Sequence, residues 1–167
     1  DDVTGIDLRA SPRDPWPTHR ADLSQRGAWE HELRGADLVV HTAALVGEVG
    51  SREAFERANV ETTRRVVEAC ADAGRLVHVS SIVVHGRDFP DGVDEDGPMR
   101  PTGNPYTDTK IVSERLVRGA HQAGLVRATV VRPGDVYGPE SAQWTVRAVD
   151  MLRAGRFALV DGDRGVL

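Results

Sequence analysis

The sequence is short of cysteine, lysine and aromatic residues, and it has no long apolar run. Its one cysteine, Cys70, excludes a disulfide within the chain, as is typical of proteins from a reducing compartment. No stretch reaches the roughly 18 apolar residues of a membrane span. A net charge of −5 does not favour nucleic acid or an anionic membrane as partner. We predict a cytoplasmic protein with a small-molecule substrate, no nucleic acid partner, no membrane contact and no metal site.

The order of the predicted elements indicates the fold class. With 167 residues, 40% of them hydrophobic and 28% charged, the chain is one globular domain or part of one. The run "ADLVVHTAALV" is apolar without alternation, which favours a parallel strand buried on both faces. Strands alternate with helical patterns along the whole chain. We therefore predict an α/β fold, a Rossmann-like doubly wound parallel sheet with helices on both faces.

Element bounds follow from apolar periodicity and from helix start and stop signals. Strands are predicted at 3–7, up to 22, at 36–46, 75–84, 126–133 and 157–160. Helices are predicted at 23–35, 51–74, 105–124 and 142–154, with Asn104 capping the third and Pro105 as its first residue. Ligands bind such sheets at the carboxyl ends of the strands, so the polar residues there are the ones to inspect.

The only lysine, Lys110, ends the stretch "NPYTDTK", and the other basic residues are all arginine. Lysine carries a compact charge on a flexible stem, so a single lysine suggests a site that needs a point charge. Tyr106 lies four residues earlier, on the same face of a helix. An ammonium about 4 Å from the phenol supplies roughly the 4 kcal/mol needed to lower a tyrosine pKa by about three units. This pair is a candidate general acid–base site.

Four stretches resemble one known family and occur in its order: "DLVVHTAALVG", "NVETTRRVVEACADAGRLVHVSSIVVHG", "RPTGNPYTDTKIVSERLV" and "VVRPGDVYGPES". The sequence resembles the extended short-chain dehydrogenase/reductases, which include the NAD-dependent epimerase/dehydratases. The resemblance implies a catalytic Ser81 that holds the substrate oxygen and a Tyr106 that exchanges its proton. It also implies that Lys110 binds the cofactor ribose and lowers the tyrosine pKa. His85 stands where the family usually has tyrosine.

The resemblance also implies how a cofactor is held, and the expected cofactor is NAD. Asp7 resembles the acid that binds the adenosine ribose, although Arg9 nearby leaves NADP open. Asn59 resembles a helix asparagine that orders the loop beside the active site. The remaining implied cofactor residues flank the adenine, line the cofactor with backbone, or surround the nicotinamide carboxamide: Asp22, Leu23, Ala43, Ala44, Pro133 and Val136.

Several of these residues also have ordinary structural explanations. Ser80 and Ser81 could merely end a strand, and Asp22 could cap the following helix. His41 and His78 lie in apolar strands, where packing or hydrogen bonding is the expected role. Cys70 is expected in the core.

The family's GxxGxxG turn, which belongs to its first strand and helix, is absent from the sequence. The chain stops at "DGDRGVL", where the family continues into its substrate-binding part. We expect residues 1–167 to be an internal piece of a single NAD(P)-binding domain, with that first strand and most of the substrate-binding region outside the sequence.

One departure from the family's sequence pattern bears on the substrate. Nucleotide-sugar members usually carry asparagine where this chain has Asp135, and a carboxylate would repel a diphosphate. We therefore expect an NAD(P)-dependent dehydrogenase or reductase acting on a hydroxyl or ketone, similar to the hydroxysteroid-dehydrogenase and ketone-reductase-like members of the family. A nucleotide-sugar epimerase or dehydratase and a non-catalytic NAD(P)-sensing regulator are the alternatives.

The helices that begin near Ser51 and Pro105 resemble those that pair in family dimers. The second carries more apolar residues than one buried stripe requires, which predicts a homodimer. These residues are Ile111, Val112, Leu116 and Val117.

Overall fold

The computed structural model describes residues 2–9, 15–47, 49–86, 89, 92–139 and 141–156. The strand predicted at 157–160 lies outside the described residues. The chain divides into two compact units, Asp1–Arg132 and Pro133–Leu167, and each is described by itself. The assignment of 1–167 to part of one NAD(P)-binding domain stays a prediction.

Five short strands make up the described sheets of the first unit, and every pair is parallel, as predicted. The first two strands pair with each other, and the other three form a sheet of order β3-β4-β5. Their bounds are β1 Gly5–Asp7, β2 Thr18–Arg20, β3 Val39–His41, β4 Leu76–Val79 and β5 Ala128–Val131. Each strand is shorter than predicted because the hydrogen-bonded ladder covers only part of each apolar run.

The helices of this unit alternate with the strands along the chain, as the α/β prediction requires. Their bounds are α1 Trp29–Glu32, α2 Arg52–Phe55, α3 Thr62–Ala69 and α4 Pro105–Gln122. The start of α4 is as predicted: Asn104 accepts hydrogen bonds from the backbone N–H groups of Tyr106 and Thr107 at 2.9 and 3.3 Å. After its end, Gly124 adopts a left-handed conformation with φ of 72°.

The long helix predicted at 51–74 is interrupted by a π-helical stretch, Glu56–Glu61, between α2 and α3. Ser51 caps the start, where its side chain accepts a hydrogen bond from the Ala54 N–H at 3.1 Å. Within the π-helical stretch, Asn59 makes side-chain bonds to other elements, and the Thr63 hydroxyl donates to its carbonyl oxygen at 2.6 Å. Such single π turns occur frequently at functional sites.

One apolar core lies where the helices meet the three-stranded sheet. Cys70 and Leu76 are fully buried in it, so the core position expected for Cys70 is confirmed. Ile6 of β1 packs against the same core. Its buried members are Trp29, Leu33, Val39, Val66, Cys70, Leu76, Val117, Ala120 and Val126.

The second unit contains a π-helical stretch, Ala142–Val146, followed by α5, Arg147–Arg153. Together they account for the helix predicted at 142–154. Across both units, none of the helices in the described ranges is long and apolar enough to cross a bilayer.

Candidate active site

Tyr106 is the second residue of α4, so the helix start fixes its position. The Asn104 cap holds its backbone, and the buried ring of Phe55 packs against the phenol ring with centroids 6.5 Å apart. Burial raises the pKa of Tyr106, and the nearby Ser81 hydroxyl offsets part of that rise. The net direction is upward, so the phenol is protonated at neutral pH.

Ser81 lies between the end of β4 and a 3₁₀ turn, Ile82–His85. Its hydroxyl accepts a hydrogen bond from the Val83 N–H at 3.3 Å and lies close enough to Tyr106 to lower the pKa of the phenol. The structure therefore brings together two of the three predicted catalytic side chains, although they are 25 residues apart in the sequence.

Lys110 is 4% exposed, and its Nζ donates to the carbonyl oxygen of Val79 at 2.7 Å. Burial lowers its pKa to about 8, against the opposing influence of Glu114. The expectation that Lys110 lowers the pKa of Tyr106 is not met in this arrangement. Burial dominates at the phenol, and the ammonium is bonded to the end of β4.

Asn59 connects three parts of the site. Its side-chain oxygen accepts from the Leu45 N–H at 2.7 Å, and its amide donates to the Leu45 carbonyl at 3.2 Å. The amide also donates to the hydroxyl of Thr109 at 3.0 Å, between Tyr106 and Lys110 on α4. These bonds order the loop that follows β3, as expected for Asn59.

That loop contains Ala43 and Ala44, both partly buried. They lie at the carboxyl end of β3, directly before Leu45. The Asn59 bonds therefore fix the backbone of this loop relative to α4. Their contact with a cofactor stays a prediction.

The predicted adenosine-binding residues lie at the ends of β1 and β2. The exposed Asp7 carboxylate accepts a hydrogen bond from the Arg9 N–H at 2.9 Å. The Asp22 carboxylate accepts from the N–H and hydroxyl of Ser24 at 2.9 and 2.7 Å, which lowers its pKa. It closes a local turn and does not cap α1, whose first residue is Trp29. Leu23 packs against the core.

Pro133 and Val136 belong to the second unit, where Val136 is exposed. Their predicted place beside a nicotinamide carboxamide stays a prediction.

The two strand histidines are buried side by side in adjacent strands. His41 and His78 are paired in register, and their ring centroids lie 5.2 Å apart. His41 has a hydrogen-bond partner in the Thr63 hydroxyl at 3.1 Å. Within the described part of the chain, neither ring nitrogen of His78 has one. The expectation of packed or hydrogen-bonded histidines therefore holds, with His78 packed only.

Sequence reasoning missed three residues that support the site: Phe55 against the phenol, Thr109 beneath Asn59, and Glu114. Glu114 is completely buried and accepts a hydrogen bond from Ser80 at 2.7 Å. The sequence did contain one signal for Glu114. Its carboxylate lies four residues after Lys110 on an apolar helix face, a pattern that indicates a buried and paired charge.

A cavity of about 650 Å³ lies between α4 and β5, and Glu114 is among the residues that line it. Its lining includes Val117, Ala128 and Arg132, and it does not include Ser81, Tyr106 or Lys110. We assign it no ligand, because none of the three candidate catalytic side chains lines it.

Known proteins are similar to this chain in sequence and in fold. The family model for the NAD dependent epimerase/dehydratase family matches residues 1–157. The chain is 37% identical over 155 residues to 2-alkyl-3-oxoalkanoate reductase of Stenotrophomonas maltophilia (strain K279a), covering 88% of this chain and 46% of that protein. It is 33% identical to the human sterol-4-alpha-carboxylate 3-dehydrogenase, decarboxylating, covering 85% and 39%.

A solved structure gives the same result at the level of the fold. DesIV (dTDP-glucose 4,6-dehydratase) from Streptomyces venezuelae, with NAD and TYD bound, matches with a TM-score of 0.82 and 26% identity, covering 93% of this chain and 53% of that one. This likeness confirms the predicted Rossmann-like α/β fold. The chain spans about half the length or less of these relatives. The sequence match and the shared fold establish that the chain belongs to the NAD dependent epimerase/dehydratase family.

Proposed function

We propose that the protein is an NAD-dependent oxidoreductase that interconverts a hydroxyl and a ketone at Ser81, Tyr106 and Lys110. The observation that carries the proposal is the approach of the Ser81 hydroxyl to the Tyr106 phenol, with a buried ammonium one helical turn further along α4. A hydroxyl and a phenol that converge in this way can hold one substrate oxygen and exchange a proton with it.

The described residues fit a nicotinamide dinucleotide at two points. Asp7 presents an exposed carboxylate at the carboxyl end of β1, suited to ribose hydroxyls. Lys110 uses one N–H of its ammonium on Val79, and an ammonium has three. When bound, the nicotinamide cofactor accepts or supplies the hydride. The Asp7 carboxylate favours NAD over the 2′-phosphate of NADP, whereas the nearby Arg9 is the feature that would suit NADP.

The chain's own residues handle the substrate oxygen and its proton. The Ser81 hydroxyl orients the oxygen, and the Tyr106 phenol donates a proton to it during reduction. Because the pKa of Tyr106 is raised, the phenol is protonated at neutral pH and acts as a general acid. In the direction of ketone reduction, the protonated phenol is the proton donor.

A substrate without a diphosphate is part of the proposal. In nucleotide-sugar members of the family, the residue at the position of Asp135 lies near the substrate diphosphate. A carboxylate at that place would repel a diphosphate. The names of the reductase from Stenotrophomonas and the human sterol dehydrogenase support this class. The buried free thiol of Cys70 is consistent with a cytoplasmic location, which we propose as well.

A nucleotide-sugar epimerase or dehydratase is the second candidate, favoured by the likeness to the dTDP-glucose dehydratase. The third reading, a non-catalytic NAD(P)-sensing regulator, has less support. A sensor has no need for serine, tyrosine and lysine together at the end of β4 and the start of α4.

The test uses the complete gene product with NADH or NADPH and a panel of 3-oxo acyl and steroid ketones, with UDP- and dTDP-sugars as the second panel. We expect ketone reduction that Tyr106→Phe slows by roughly a hundredfold or more, with cofactor affinity nearly unchanged. Tyr137→Phe is the matched control, because this tyrosine is 84% exposed. Turnover of nucleotide sugars alone would support the second candidate. Tight cofactor binding with no turnover of either panel would support the sensor.

A further inference from the structure

The Ser80 side chain points toward α4. Its hydroxyl donates to Oε2 of Glu114 at 2.7 Å, and its backbone N–H donates to the Val131 carbonyl at 2.7 Å. Ser80 lies between Val79, whose carbonyl holds Lys110, and the candidate catalytic Ser81. Its hydrogen bonds therefore fix the backbone segment from which two parts of the site project.

Glu114 is held from several sides although it is fully buried. Arg132, after β5, donates from Nε to Oε2 at 3.0 Å and from a terminal nitrogen to Oε1 at 2.5 Å. Arg118 lies 3.6 Å from Oε1. Burial alone would raise the pKa of Glu114, but the bonds from Arg132 and Ser80 outweigh it and lower the pKa. Glu114 is therefore ionised at neutral pH.

Arg132 is itself fixed by further contacts. It donates to the Glu95 carbonyl at 2.9 Å, and its other contact is the His85 ring at 3.2 Å. His85 ends the 3₁₀ turn that begins after Ser81. The cluster of Ser80, Glu114, Arg132 and His85 thus joins α4, the ends of β4 and β5, and the turn that follows Ser81.

Two hydrogen bonds therefore connect α4 to the end of β4. One joins Lys110 to Val79, and the other joins Glu114 to Ser80 one helical turn later. We propose that Glu114 is a positioning residue: by holding Ser80, it fixes α4 against the end of β4 and so sets the distance of Tyr106 and Lys110 from Ser81. The inference rests on the proposed function, because it concerns the same three side chains.

The charge of Glu114 also affects the pKa of Lys110, so the pH dependence of the rate provides a second measurement of its role. The titratable groups that face Lys110 are His41 on β3, His78 on β4, and Tyr106 and Glu114 on α4. Of these, only Glu114 favours the charged lysine, since burial lowers the lysine pKa and both histidines are buried and neutral. Removing the carboxylate should therefore release the Lys110 proton at a lower pH. Arg132, Arg118, Glu95 and Asp96 are the charged groups on the far side of the cluster.

The competing explanation is that Glu114 only neutralises Arg132, whose side chain is 11% exposed. Removing one partner of a buried ion pair leaves an uncompensated charge and strongly destabilises the folded protein. Replacing both partners is often tolerated. The double variant Glu114→Gln/Arg132→Met separates the two explanations. It leaves neither Glu114 nor Arg132 behind as an unpaired charge, yet it lacks the carboxylate that holds Ser80.

The experiment compares wild type, Ser80→Ala, Glu114→Gln and the double variant as complete gene products. The control is Glu61→Gln, which removes a carboxylate from the exposed ion pairs of the π-helical stretch. For each, we would measure the unfolding midpoint, the dissociation constant of NADH, and kcat and KM from pH 6 to 10. Tyr106→Phe is measured in the same series.

We expect Ser80→Ala to lower kcat about tenfold and each Glu114 variant about a hundredfold, as small displacements of reacting groups do. NADH affinity and the unfolding midpoint of Ser80→Ala should stay close to wild type. The basic limb of the pH profile should move to lower pH in the Glu114 variants only. If Glu114→Gln does not fold, the double variant decides the question.

Wild-type kcat in both Ser80→Ala and the double variant, together with an unshifted pH profile in the double variant, would overturn the positioning role. If Tyr106→Phe is inactive in that case, this inference fails alone. If Tyr106→Phe also keeps full turnover, the proposed function fails with it.

Discussion

The Nζ atom of Lys110 lies 2.7 Å from the carbonyl oxygen of Val79, the last residue of β4. This bond places the only ammonium side chain of the sequence directly beside the strand end that leads to Ser81. A buried backbone carbonyl is a fixed acceptor, so the position of the charge is set by the sheet and not by solvent.

Our first prediction is that Lys110→Arg keeps the charge and loses most of the rate. The site around Lys110 is closed, and the planar guanidinium cannot place its charge where the ammonium lies. If the misplaced charge stabilises the transition state by about 2 kcal/mol less than the ammonium does, the chemical step slows about thirtyfold. The pKa of Lys110 is lowered to about 8, so reduction by the wild type should decline above that pH. Arginine stays charged there, and the basic limb should move upward by more than one unit.

NAD(P)H absorbance from pH 6 to 10 checks both effects on the complete gene product. Arg64→Lys, on the exposed side of α3, is the control for a conservative exchange elsewhere. A Lys110→Arg enzyme with the wild-type rate and an unshifted basic limb would mean that the lysine is not needed.

The sequence predicted the features of α4 that depend on neighbouring residues, but not those that depend on distant parts of the chain. The cap by Asn104, Pro105 at the first helical position and the four-residue spacing of Tyr106 and Lys110 are local signals, and the helix begins where they indicate. The buried role of Glu114 depends on Ser80 and Arg132, which lie 34 and 18 residues away. No pattern within one helix can report such partners.

The π-helical stretch around Asn59 was missed for the same reason. Its periodicity in the sequence is that of an ordinary helix, and the bonds from Asn59 to Leu45 and Thr109 cross 14 and 50 residues. The expectation of a lowered Tyr106 pKa was wrong because burial raises that pKa. Spacing on a helix does not reveal how deeply the phenol is buried.

The second prediction concerns the acid stability of the buried histidines. Burial and, to a smaller extent, the Lys110 ammonium lower the pKa of His78 to about 3. His41 is likewise lowered to about 3 by burial, by His78 and by Lys110. Both rings are therefore neutral in the folded protein, whereas in the unfolded chain they bind protons below their ordinary value of 6.5. The unfolded state takes up more protons between about pH 6.5 and 3, so stability should be lost as the pH falls through that window.

We expect His78→Phe to stabilise the protein. At pH 7 the gain is about 1 kcal/mol, because two buried nitrogens without partners in the described structure are removed. At pH 5 the gain should be about 2 kcal/mol larger, because the unfolded variant no longer binds that proton. Urea unfolding at the two pH values measures the difference, with His31→Phe on the exposed face of α1 as the control. A variant that is less stable than wild type at pH 5 would contradict this account.

The third prediction concerns the proposed homodimer through the helices that begin near Ser51 and Pro105. Two of the four apolar residues that suggested it, Ile111 and Val117, are buried in the chain's own core. The outward apolar surface of α4 is therefore reduced to Val112, which is 43% exposed, and the half-buried Leu116. In a two-fold symmetric dimer each of these side chains is buried twice, so one substitution acts on both subunits.

Val112→Arg should weaken the dimer accordingly. Losing the burial of two valine side chains, at about 1.5 kcal/mol each, raises the dimer dissociation constant by about a hundredfold. Sedimentation velocity of the complete gene product from nanomolar to micromolar concentration measures the change. Leu125→Arg is the matched control, because Leu125 is an apolar residue of the turn after α4 and is 65% exposed. Two results would count against an interface on this face of α4: a monomeric wild type at micromolar concentration, or a dimer that Val112→Arg leaves as tight as Leu125→Arg does.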